Sequence, residues 1–95
     1  MNLKKLHTEN KAVQTKILFS ATEGKVISLQ IASGEQLKEH LSKVPTLLVC
    51  VAGNAVYKDE KESVINLKSG DYVNIEPEVK HRIDAIEESN FLLIK

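Results

Sequence analysis

The sequence is short of several things, and each shortage excludes something. It has one cysteine in 95 residues. No internal disulfide and no paired-cysteine metal or redox motif can form, and a reducing cytoplasm is the compartment expected. It has no tryptophan, two phenylalanines and two tyrosines. Single-stranded nucleic acids are held by stacking on exposed aromatics, so that partner is not expected. It also lacks net charge: 13 basic residues balance 13 acidic ones. Neither the clustered positive face that binds nucleic acid nor one that binds an anionic membrane is indicated. No run approaches the roughly 20 apolar residues of a membrane span. The basic start, Met1 to His7, is followed by Thr8-Glu9-Asn10-Lys11 rather than by the apolar core of a signal peptide.

What the chain does have is alternation. Val26-Ile27-Ser28-Leu29-Gln30-Ile31-Ala32 places Ile27, Leu29 and Ile31 on one parity and Ser28 and Gln30 on the other. A period of two with one apolar face predicts a strand. The same reading predicts strands over Lys16–Ala21, Thr46–Ala52, Ala55–Lys58, Ser63–Leu67, Tyr72–Ile75, Arg82–Ile86 and Phe91–Ile94. Asp59-Glu60-Lys61-Glu62 reads as a polar hairpin tip, and Gly24, Gly34, Gly53 and Gly70 fall at turns. Glu35–Lys43 is ambiguous. Its residues favour a helix, with Leu37 and Leu41 one turn apart. Many short strands without a long helix predict an all-β sandwich or barrel in one domain. Residues 1–12 read as a flexible arm or an added edge strand, and 13–95 as the barrel.

Two segments carry a resemblance. Gly34, His40-Leu41-Ser42, Thr46 and Gly53 stand where the first conserved box of the cupin superfamily has Gly, His-x-His, Glu and Gly. Gly70, Pro77-Glu78-Val79, His81 and Ala85 stand where its second box has Gly, Pro-x-Gly, His and Asn. The chain therefore resembles a small single-domain cupin of the RmlC-like kind. The resemblance implies a double-stranded β-helix, a jelly-roll barrel, with Glu35–Lys43 extended and carrying His40 to the barrel mouth. It also implies a homodimer, which agrees with a Thr46–Ala52 run that is apolar on both parities.

In metal-binding cupins the box histidines and the glutamate hold Fe, Mn, Ni, Cu or Zn. The corresponding residues here are His40, Ser42, Thr46 and His81. Two imidazoles remain; the anionic ligand is lost. Cys50 shares the strand parity of Thr46 and is a remote third ligand, its plainer reading being a small buried hydrophobe. The expectation is that His40 and His81 are inward polar groups bonded to each other, to Ser42 or Thr46, or through water. With Ser42 and Thr46 they would bind a small polar ligand, or by themselves a weakly held divalent metal, in a small, mostly apolar lumen, without catalysis. A metal-dependent dioxygenase or isomerase, and a scaffold or sensor module with an exchanged N-terminal arm, are the alternatives. His7 is assigned no role. Asp84 and the acidic turns at 59–62 and 87–88 are read as solvated.

Overall fold

A computed structural model describes all of residues 1–95. Nine strands follow one helical turn, α1 (Leu3–Leu6). The strands are β1 (Val13–Ala21), β2 (Gly24–Ile31), β3 (Gln36–His40), β4 (Thr46–Ala52), β5 (Asn54–Asp59), β6 (Val64–Lys68), β7 (Tyr72–Ile75), β8 (His81–Ala85) and β9 (Ser89–Ile94). They form two antiparallel sheets, ordered β1-β2-β9-β4-β7 and β3-β8-β5-β6. The all-β expectation holds, and each predicted strand is present. The ambiguous segment is β3, a strand despite its helix-favouring residues. Pairing with β8 gives its backbone groups partners, and Leu37 packs against the core, which outweighs local propensity. No helix is long and apolar enough to cross a membrane.

The alternation seen in the sequence sorts the sheet faces. Leu29, Ile31, Leu48, Cys50, Val73, Ile75 and Phe91 point inward from one sheet. Ala55, Tyr57, Leu67, Ile83 and Ala85 meet them from the other. These side chains fill the lumen between the sheets. The expected apolar cavity is therefore occupied by the chain itself: a domain of this size must close-pack its few large side chains to be stable.

The outer faces differ sharply. The four-stranded sheet presents Lys58, Arg82 and Asp84, with Asp84 within 3.9 Å of Lys58 and 3.5 Å of Arg82. Asp84 thus lies on the solvent side, as its parity requires. The five-stranded sheet has a mixed outer face, with Phe19, Val26, Leu47, Val49, Tyr72, Leu92 and Ile94 beside Ser28, Gln30 and Asn90, and the N-terminal segment bonds the polar group.

Gly53 links β4 to β5 with φ at 118°. A Cβ there would lie 2.4 Å from Ser89 Oγ and 2.7 Å from the Glu88 carbonyl oxygen. Ser89 Oγ in turn accepts from the Asn54 amide at 3.1 Å, so it cannot move without cost. Gly34 also has positive φ but has open space around it. Gly53→Ala is expected to destabilise the fold by about 3 kcal/mol and Gly34→Ala by about 1 kcal/mol, as strain alone. Chemical denaturation that ranks Gly34→Ala as the more damaging change would contradict this packing.

Candidate functional site

The register of β3 against β8 builds the site. Leu37 faces Ile83, which is inward. In a regular strand Glu39 would then share the inward face and His40 would point out. One extra residue is inserted between Leu37 and His40, so His40 instead lies opposite His81. A bulge of this kind re-aims the side chains beyond it. His81 is buried at 3% exposure, while His40 is exposed at the rim. Their ring centroids are 4.4 Å apart, with the planes tilted by 57°. A broad open groove of about 730 Å³, bordered by Ala12, Val13, Leu37 and His40, runs along β3 and gives solvent access.

Each ring is held in the same way. His40 Nδ1 lies 3.0 Å from the Lys38 carbonyl oxygen, and His81 Nδ1 lies 3.0 Å from that of Val79. A carbonyl can only accept, so each Nδ1 carries the proton and donates. The neutral rings therefore present unprotonated Nε2 atoms. This differs from the expected histidine–histidine or histidine–hydroxyl bonds: the backbone two residues upstream competes for each ring. Burial pushes the His81 imidazole below its ordinary pKa, and the charge of His40 adds to that, while the bond to Val79 and the carboxylate of Asp59 oppose it.

Ser42 and Thr46 do not join the pair through hydrogen bonds. Ser42 Oγ accepts from the Val44 amide at 3.3 Å, and Thr46 Oγ1 donates to the Val44 carbonyl at 3.3 Å. Both hydroxyls shape the β3–β4 loop. That loop is tied to the β7–β8 loop by the Glu78 amide, which donates to the Ser42 carbonyl at 2.8 Å. Cys50 is a buried core residue, and burial, then the charge of Asp71, push its thiol pKa up.

Sequence reasoning missed two neighbours. Across β5, Asp59 lies opposite His81, so His40, His81 and Asp59 form one cross-strand row. Tyr57 stacks near His81, with centroids 5.9 Å apart and planes within 26°. The Tyr57 hydroxyl donates to Asp59 Oδ2 at 2.9 Å. Asp59 Oδ1 accepts from the Lys61 and Ser63 amides at 2.9 and 3.1 Å. Burial pushes the Asp59 carboxyl up, but these bonds outweigh it and hold it below its usual range. Burial and then Asp59 push the Tyr57 phenol well above its ordinary value. The sequence signal was the shared parity of Ala55, Tyr57 and Asp59, hidden by assigning Asp59 to a solvated turn. Asp59 is instead the last residue of β5 and organises the hairpin tip from there.

His7 also has a partner. Its Nε2 lies 2.8 Å from the hydroxyl of Ser28, a fully buried residue on the outer face of β2. Burial, then Lys16, push its pKa down.

Whether the donors suit a resident metal can be judged from this chemistry. Two imidazole nitrogens are free. No three His, Cys, Asp or Glu side chains converge closely enough to hold an ion. The two hydroxyls are engaged in the loop, and the Cys50 thiol is held protonated. A closed zinc site takes four protein ligands and a catalytic one takes three, so these residues do not fit a firmly held metal.

His81 and His7 both bind a proton less readily in the fold than in the unfolded chain. Stability is thus complete above the ordinary histidine value of about 6.5 and falls as pH drops through the folded values. His81→Gln should flatten this decline, and adding His7→Gln should flatten it further. Equal slopes in wild type and the double variant would contradict the assignment. The buried Cys50 thiol should react with a disulfide reagent only as fast as the chain unfolds; prompt stoichiometric labelling of the native protein would refute its placement.

No family model matches the sequence. No curated protein matches it either. Solved structures match closely in shape. A cupin superfamily protein from Desulfitobacterium hafniense superposes with a TM-score of 0.86 at 19% identity, over 98% of this chain and 84% of that one. An RmlC-like cupin from Desulfovibrio desulfuricans gives 0.84 at 15% identity, over 98% and 90%. An uncharacterized conserved protein with a double-stranded β-helix domain from Klebsiella pneumoniae gives 0.83 at 16%, over 99% and 85%. At such identities the likeness concerns shape, and on that ground the chain has the double-stranded β-helix fold of a small RmlC-like cupin domain.

Proposed function

We propose that this chain is a small-molecule-binding cupin-fold protein without catalytic activity, acting in the cytoplasm, whose binding groups are His40 and His81. One observation carries the reading: both Nδ1 atoms are committed to backbone carbonyls, which leaves the Nε2 lone pairs of two adjacent rings, His40 at the rim and His81 buried beside it. Paired acceptors suit a ligand that brings donors, such as a primary amide, an ammonium or a polyol. They also suit a divalent metal of the Fe, Mn, Ni or Zn class held weakly, with water completing its shell. Tyr57 and Asp59 stiffen the wall behind His81 rather than reaching the ligand. Catalysis is disfavoured because no free carboxylate or nucleophile accompanies the pair. The Asp59 carboxylate is engaged by three donors, and the Cys50 thiol is protonated in the core.

Protonation inverts the preference. Once both rings are charged they become donors at Nε2 and favour an anion. The depressed His81 value reserves that state for acidic solution.

The test is elemental analysis of protein purified without an affinity tag, followed by titration with Zn(II), acetamide, ethylammonium and glycerol. The imidazole NMR signals of His40 and His81 are the readout. Metal well below one ion per chain is expected, with reversible shifts at both rings that disappear in His81→Ala. One equivalent of metal surviving a chelator would overturn the non-catalytic reading. Failure of every probe to move either ring would overturn the binding site.

A further inference from the structure

The sandwich is open along one side. β1 ends the five-stranded sheet and β3 ends the four-stranded one, and β1 packs mainly against β2. Ile17 shows the consequence. It pairs with Ile27 on the inward parity, yet it is 59% exposed. In a closed sandwich an inward apolar side chain is covered by the opposite sheet. A bulge shapes the same stretch, where the β1 register shifts between Ile17 and Phe19. The extra residue turns Phe19 outward, opposite Val26. It brings Ser20, opposite Lys25, back to the face of Ile17.

Lysines complete this inner face. The Lys25 amide donates to the Lys95 main-chain oxygen at 2.6 Å, and the Lys95 amide donates back at 3.0 Å. Each lies two residues from a paired inward residue, Ile27 or Leu93, so both lysines share the inward parity. The charge of Lys95 is also one of those that hold the His81 pKa down, which puts its ammonium on the mouth side of the sheet. The β3–β4 loop adds a third lysine. A cleft of about 630 Å³ lies between these parts, lined by Ile17, Lys25, Ser42, Lys43, Val44 and Lys95 among others. No Asp or Glu side chain lines it, and none of the three lysines has an acidic partner. A carboxylate at the Lys95 main chain would offset one ammonium and leave two. Ser42 Oγ accepts from the Val44 amide, so its hydroxyl hydrogen remains free to donate.

We propose that this cleft binds a small organic anion, a carboxylate or phosphate group on a short apolar body. Charge selects the headgroup. The chain carries no net charge, yet here three ammonium groups border one space without a side-chain acid. Their mutual repulsion is relieved by an anion between them. Lysine is a flexible point charge that accepts carboxylate and phosphate alike. The Ser42 hydroxyl adds a donor at the same wall. The apolar neighbours select the rest of the ligand. Ile17 and Val44, 59% and 48% exposed, gain burial against an apolar body. The volume falls within the range of small-molecule sites. Neither imidazole lines this cleft, so the site goes beyond the histidine pair and does not depend on it. It also gives Ser42 a part that its distance from that pair's hydrogen bonding leaves open.

Titration of the full chain with butyrate, phenyl phosphate, inorganic phosphate and butan-1-ol at constant ionic strength tests this, read from backbone amide NMR shifts. Saturable shifts at Ser20, Gly24, Lys25, Ser42 and Val44 are expected with butyrate or phenyl phosphate, and none with butan-1-ol. Whichever anion binds more tightly identifies the headgroup. Lys25→Gln and Lys43→Gln, both at exposed positions, should each weaken binding about fivefold, as the loss of one charge near the surface implies. Lys68→Gln, exposed and outside the cleft, should not. An otherwise unchanged amide spectrum shows that the variants are folded. No saturable shift with either organic anion, an equal response to butan-1-ol, or binding indifferent to both cleft variants would each overturn the site. Shifts spread over lysines throughout the chain would overturn it too. Inorganic phosphate binding as tightly as phenyl phosphate would overturn the apolar wall.

Discussion

One extra residue in β3 decides what the barrel mouth can do. With a regular register, Leu37 opposite Ile83 would place Glu39 inward beside His81, and His40 would face solvent on the far side of the sheet. The insertion turns His40 to the face of His81 and brings the Lys38 carbonyl within reach of its ring. A second consequence is electrostatic. A buried histidine opposite a glutamate would be drawn toward its charged form; here burial drives His81 toward neutrality and the facing His40 adds to it. The bulge therefore sets the identity of the pair.

The rest of the site follows from the next strand. β5 supplies Asp59 in the same row, and the Tyr57 hydroxyl and two amides occupy its oxygens. The carboxylate thus steadies the β5–β6 hairpin and shields Tyr57 from solvent instead of serving as a ligand. A lumen already filled by Leu48, Phe91, Ile83 and their neighbours confines the proposed binding to the rim. The two sheets also divide their tasks. The four-stranded one holds the histidines and a charged outer surface. The five-stranded one supplies most of the core and a mixed outer face whose polar group the N-terminal segment bonds.

Much of this was legible in the sequence, because strand alternation, glycine-marked turns and the spacing of Gly34, His40, Gly70 and His81 all constrain the backbone directly. The strands came through, and so did the proximity of His40 and His81. Three features did not. The orientation of His40 depends on a bulge, and a bulge leaves no mark on residue type. Asp59 sits in a polar run whose composition suits a turn, while its actual place is fixed by pairing with His81 across β8. The bond from His7 to Ser28 spans 21 residues and depends on how the N-terminal segment lies on β2. Ser42 and Thr46 show the converse: their motif positions were readable, but their hydroxyls serve the loop between them.

The claim most exposed to test is that both imidazoles carry their proton on Nδ1 and leave Nε2 unprotonated. Long-range proton–nitrogen NMR spectra of the histidine side chains at neutral pH report this directly. The account predicts the Nδ1-protonated tautomer for His40 and for His81, with the form lost at His40 when the β3 bulge is removed by deleting Lys38. A native spectrum in which either ring is protonated at Nε2 would contradict it.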